Sequence, residues 1–200
     1  MMTLLLAVVA TIVQPDPLIN VRDPQLRAVV ATELQLASNK GLPTSPLIAK
    51  ALEGQLKAAP SARIQLALKT LAGRMELART RLGTATDAEL IAAADALAAG
   101  VPPDALAALR RVLPQRSVTL PIGVLTELVT RGVDPTRATR EVLTLIGKGA
   151  TPQQLLLLGD EVGGDVRRGQ AANAALDLRV RGLMLVLAPG PASTATPVRP

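Results

Sequence analysis

Glycines stand at positions 83, 100, 132 and 149, separated by 17, 32 and 17 residues. Each opens a short turn that is followed by apolar residues at helical spacing. Glycine reaches the left-handed backbone conformation just past a helix end, where a Cβ is strained. The 32-residue gap holds one further unit, beginning near Arg116 and Ser117, that lacks the glycine. A cap follows each joint, often with a proline in the first turn: Thr86 with Glu89, Asp134 with Pro135, and Thr151-Pro152 with Gln154. Cap oxygens accept from amides that have no partner inside the helix, and proline there loses nothing. The spacing predicts one short helix and one tight turn per unit. Helices of about eleven residues are unstable alone in water, so each must stack on its neighbours.

The same signals continue upstream. Asp23-Pro24 opens a helix that stops before Gly41, and Ser45-Pro46 opens a second through Leu56. The longest runs from Ser61 to Leu82, with Ile64, Leu68, Leu71, Met75 and Leu82 on one face. Leu66 and Leu77 fall nearly opposite, which predicts packing on two sides. The last helix is expected from Gln170 to Leu187. Ala and Leu favour helix, and the strand-favouring aromatics are absent, with no Phe, Tyr or Trp in 200 residues. The expected fold is all-α, with about nine helices and no strand. Two units make a hairpin of about 34 residues, the period of helical-repeat solenoids. The pattern resembles a degenerate α-solenoid in architecture, without the aromatic positions of a tetratricopeptide motif. An irregular orthogonal helical bundle is the competing arrangement.

The ends read differently. Residues 3–13 (TLLLAVVATIV) precede the proline-broken Gln14-Pro15-Asp16-Pro17. Eleven residues are too few to span a bilayer as a helix, which takes about 20, but they match the apolar core of a secretory signal peptide. The terminal amine stands where a basic leader segment is usual. A short membrane-associated or buried segment is the alternative. Residues 189–200 (PGPASTATPVRP) bury too little apolar area to offset ordering and read as a disordered tail. The expected organisation is a signal peptide and linker over 1–22, a single helical-repeat domain over 23–188, and the tail.

Chemistry is bounded by what is missing. Without His or Cys, zinc fingers, Cys-ligated iron–sulfur clusters, cysteine nucleophiles and Ser-His-Asp triads are impossible. No acidic cluster has the spacing of a calcium-binding EF-hand. There is no S-x-x-K dyad, and Asp160-Glu161 would point in different directions on a helix. No catalytic site, cofactor or metal is expected. Nucleic acid is also disfavoured as a partner, because base stacking on aromatic rings is unavailable and a net charge of +6 is modest.

Three local features remain. Between Gly41 and Leu82 seven basic residues stand against two acidic ones. Arg63, Arg74 and Arg81 fall within about 20° of one another on the long helix, given a 3.6-residue turn. They are a candidate stripe for an anion or an acidic partner, or else a solvated face whose stems cover apolar surface. Gly147-Lys148-Gly149, between two helices, resembles the turn of a helix-hairpin-helix DNA-binding element, which presents backbone amides to phosphate. Lys148 departs from that pattern by standing where it has a hydrophobic residue. The run from Gly163 to Gly169 (GGDVRRG) could hold an anion near a helix N-terminus, or be an inter-helix turn. The expected function is a non-catalytic helical-repeat interaction or scaffold protein, exported to the periplasm or beyond and partnered by another protein. A basic cytoplasmic protein associated with nucleic acid is the alternative.

Overall fold

Prolines and capping side chains set where the helices start. The structure, a computed structural model, describes residues 18–188. Most of the expected leader and all of the expected tail, residues 1–17 and 189–200, lie outside the described residues. Nine α-helices and no strand occur among the described residues. They are α1 (Pro24–Asn39), α2 (Ser45–Leu56), α3 (Ser61–Leu82), α4 (Asp87–Ala99), α5 (Pro103–Val112), α6 (Thr119–Thr130), α7 (Pro135–Gly147), α8 (Pro152–Arg167) and α9 (Ala172–Leu187). No described helix is long and apolar enough to cross a membrane. The contacts divide the chain into two units, Met1–Lys69 and Thr70–Pro200, and the division falls within α3.

In the first unit α1 packs on α2. Asp23 caps α1 by accepting from the Gln25 amide at 3.0 Å. Val21, Val30, Leu47, Ala51 and Leu68 are fully enclosed. Glu33 is buried in α1 and accepts from Gln65 Nε2 at 3.0 Å.

In the second unit each helix stacks on the next but one. α4, α6 and α8 form one row, and α5, α7 and α9 form the other. α6 packs on α7 and α8 on α9, which joins the rows into a two-layered array. One continuous core runs from Ala78 and Leu82 of α3 to Val180 of α9. Leu106, Leu109, Ile122, Leu125, Leu128, Leu145, Leu158 and Leu176 are its large, fully enclosed members.

The expected joints take the expected form. Gly83, Gly100, Gly132 and Gly149 all have positive φ, from 68° to 101°. At Gly100 the helix closes with Val101 N donating to the Ala96 carbonyl, which leaves fewer carbonyls without partners. Both Thr86 with Glu89 and Thr151 with Gln154 form reciprocal capping boxes.

Three expectations change. Gly163 and Gly164 lie inside α8, and the turn comes at Gly169 (φ 94°) instead. The last helix begins two residues later than expected, at Ala172. α3 does not bury a second face at Leu66, which is 65% exposed, because that side of the helix meets solvent.

Candidate interaction surface

The buried carboxylates of the second unit all face arginines. Glu89, 4% exposed, is the third residue of α4. Its Oε2 accepts from the Thr86 amide at 2.9 Å, completing the cap. Its Oε1 accepts from Arg110 Nη2 at 2.9 Å and from the Val118 amide at 3.0 Å. Arg110 Nη1 in turn donates to the carbonyls of Leu113 and Arg116. This is the joint that lacks a glycine, and here a guanidinium ties down two carbonyls of the α5–α6 loop. Burial alone would raise the Glu89 carboxyl. The Val118 and Thr86 amides and the Arg110 charge outweigh it and hold the carboxyl below the usual carboxylate range.

Asp165, 2% exposed in α8, is gripped from α9. Arg179 donates through Nε to Oδ2 at 2.6 Å and through Nη2 to Oδ1 at 2.8 Å, a two-pronged pairing. Arg168 also donates to Oδ1. The Arg179 bonds, aided by Arg168, hold the Asp165 carboxyl at about 2, and Asp165 pushes the Arg179 guanidinium up. Arg137 of α7 reaches Asp177 of α9 at 2.8 Å. These ion pairs join neighbouring helices of the array. Among the described residues no group of three acidic side chains is placed to hold a metal ion.

The turns at one end of the array enclose a groove of about 440 Å³. Leu113, Leu120 and Pro121 line it from the α5–α6 side, and Ile146, Ala150 and Leu155 from the α7–α8 side. Val112 lies on its edge, 43% exposed. Arg116 is exposed at the rim, beside Ser117 and Thr151. A groove lined by apolar side chains and polar turn groups together, with Arg116 among them, is suited to a segment that pairs an apolar side chain with an anionic neighbour. Its walls come from two turns about 35 residues apart, a meeting that local sequence spacing does not encode. The proline and glycine punctuation placed each turn but not their meeting.

The candidate arginines are distributed along α3. Arg63 lies in the first unit and is exposed. Arg74 and Arg81 lie in the second, half-buried and exposed respectively. Arg81 Nη1 is 3.1 Å from Asp104 of α5, so part of its charge is answered within the protein.

The Gly147-Lys148-Gly149 turn does not present free amides. Lys148 N donates to the Thr144 carbonyl, Gly149 N to Ile146 and Ala150 N to Leu145. These bonds terminate α7 and leave nothing there for phosphate. The Gly163 to Gly169 run likewise forms the C-terminal end of α8 rather than an N-terminal anion site. Its Arg168 is occupied by Asp165, and Gly169 and Gln170 donate to carbonyls of the same helix. Comparison with protein families, with curated proteins and with solved structures finds no match for this chain.

Proposed function

We propose that this chain is a non-catalytic interaction or scaffold protein, exported to the cell envelope, that holds a segment of a protein partner on its helical array. The groove between the α5–α6 and α7–α8 turns carries the reading. Its apolar lining, from Leu120 and Ile146, suits a leucine or valine side chain, and Arg116 selects a segment with a carboxylate beside it. Without Tyr or Trp anchors, affinity rests on aliphatic burial and that one charge. The ionic groups inside the array are committed to one another, Glu89 with Arg110 and Asp165 with Arg179, which favours a scaffold over acid–base chemistry. Export is supported by the apolar stretch at residues 3–13.

Two measurements test it. A photo-crosslinking residue in place of Leu120, in the full chain inside an expressing cell, should give one discrete protein adduct. Arg116→Glu should abolish that adduct while leaving the helical circular dichroism unchanged. The intact mass of chain recovered from the envelope fraction should show loss of the leader. A full-length cytoplasmic product, retained on DNA until salt releases it and freed by replacing Arg63, Arg74 and Arg81, would establish the nucleic-acid alternative instead.

A further inference from the structure

The most exposed large apolar side chain among the described residues is Leu56, at 86%. It stands one turn after Leu52 on α2, on the side of the helix turned away from the buried Leu47 and Ala51. Ile19, 68% exposed, adds a third apolar side chain to the groove they line, which holds about 600 Å³. Gln55 fixes the outline of this groove. Its Oε1 accepts from the Arg22 amide at 2.8 Å, and its Nε2 donates to the Asn20 carbonyl at 3.0 Å. Leu18 and Val21 are buried beside that clamp, so the chain is held at the groove from the first described residue onward.

What precedes Leu18 in the sequence decides the occupant. Residues 3–13 (TLLLAVVATIV) carry no charged side chain. Only Gln14-Pro15-Asp16-Pro17 separates them from Leu18, a link that spans at most about 18 Å when fully extended. The apolar run is therefore tethered within reach of Ile19 and Leu56, at an effective concentration on the order of millimolar. A few aliphatic contacts, too weak to hold a separate partner, suffice under that tether. Charge agrees with this choice. The only charge in the link is Asp16, and the groove carries Arg22, which makes no ion pair among the described residues. Its neighbour Asp23 is committed to the cap of α1.

We propose that, in the unprocessed chain, the apolar run at residues 3–13 folds back onto the groove of Ile19, Leu52 and Leu56 and covers it. The contact is a property of the chain that still has its leader, and it depends neither on export nor on the Arg116 groove. One consequence does rest on the export reading: loss of the leader uncovers Leu56 and Ile19, so processing opens a second apolar surface on the first unit.

Full chain made in a membrane-free translation system, with an intact mass of 20.7 kDa to verify that residues 1–17 are retained, provides the test. A photo-crosslinking residue replaces Leu56. Irradiation should join the tryptic peptide that ends at Arg22 to the one spanning 51–57, with fragmentation placing the bond within 3–13. The yield should stay constant over a roughly hundredfold dilution, as an intramolecular contact requires. Leu5→Asp together with Val9→Asp should lower the yield about tenfold, because a carboxylate is costly in an apolar contact. Helical circular dichroism should be kept, since both positions precede α1. A bond found only at Ile19, or a yield unmoved by the two aspartates, would overturn the proposal. So would a yield that falls on dilution, which would place the run of a second copy in the groove. A chain that keeps its leader inside cells and still forms the link would refute export and leave this contact standing.

Discussion

Glu89 and Arg110, twenty-one positions apart, meet at 2.9 Å with both side chains mostly withdrawn from water. The pair links the start of α4 to the end of α5, and the same carboxylate holds the Val118 amide just ahead of α6. Three consecutive helices therefore share one acid. Removing it leaves a buried guanidinium and two amides without their acceptor. Breaking one partner of a buried pair costs roughly 3–5 kcal/mol. Glu89→Ala should lower the unfolding free energy by about that amount, measured by urea denaturation followed by far-UV circular dichroism. A loss below about 1 kcal/mol would mean that water replaces the carboxylate and that no clamp exists.

Acid should unfold the array in a window set by its depressed carboxylates. Asp165 sits at about 2 in the folded chain, against about 3.9 when unfolded. A depressed folded value means that its contribution is complete above about pH 4 and is lost as the pH falls toward 2. Glu53 of α2, in the first unit, is held at about 2 by Lys50 and Lys57 and titrates over the same range, but these exposed pairs contribute little to stability. Stability should be level from neutral pH to about 4.5 and decline below that. Asp165→Asn should be less stable than the parent at pH 7 and show a shallower acid decline. Equal slopes for the two proteins would contradict the assignment of this window to Asp165.

Much of this architecture is legible locally. The left-handed joints, the two capping boxes and the starts of α1, α2 and α3 all depend on residues within one turn of each other. What crosses between helices is not. Glu89 is recognisable in the sequence as the third residue of a capping box, but nothing in that motif says that its second oxygen reaches Arg110 and Val118. Gly163 and Gly164 carry the signature of a turn. Yet a Cβ on Gly163 would lie 3.4 Å from the Arg131 guanidinium, so this glycine serves a close approach inside a continuous helix. The Arg116 groove arises where separate turns converge, which local spacing does not encode.

The same substitution should have opposite signs at two glycines. Gly100 ends α4 at φ 101°, and a side chain there costs roughly 1–2 kcal/mol. Gly123 lies inside α6, where an added Cβ meets nothing within 4 Å, and alanine in its place gains about 0.5–1 kcal/mol. Gly100→Ala should therefore lower the melting temperature and Gly123→Ala raise it. Equal shifts in one direction would remove the special role of the joint.

Gly54 tests packing within the first unit. It lies inside α2, where helix propensity alone favours alanine by about 1 kcal/mol. A Cβ there, however, would fall 2.6 Å from Ile64 Cγ1 and 2.9 Å from Cδ1. Ile64 is 2% exposed, so its side chain has little room to retreat. Overpacking of this kind costs about 1–3 kcal/mol, more than the propensity returns. Gly54→Ala should destabilise the protein in urea denaturation. Ile64→Ala should also destabilise it, by leaving a cavity, but the double variant should be more stable than the sum of the two losses, because the truncated residue 64 no longer holds the colliding atoms. The coupling should be on the order of 1 kcal/mol. Strict additivity would mean that α2 and the start of α3 shift apart to admit the methyl, and the close approach at Gly54 would then not be a constraint of the fold.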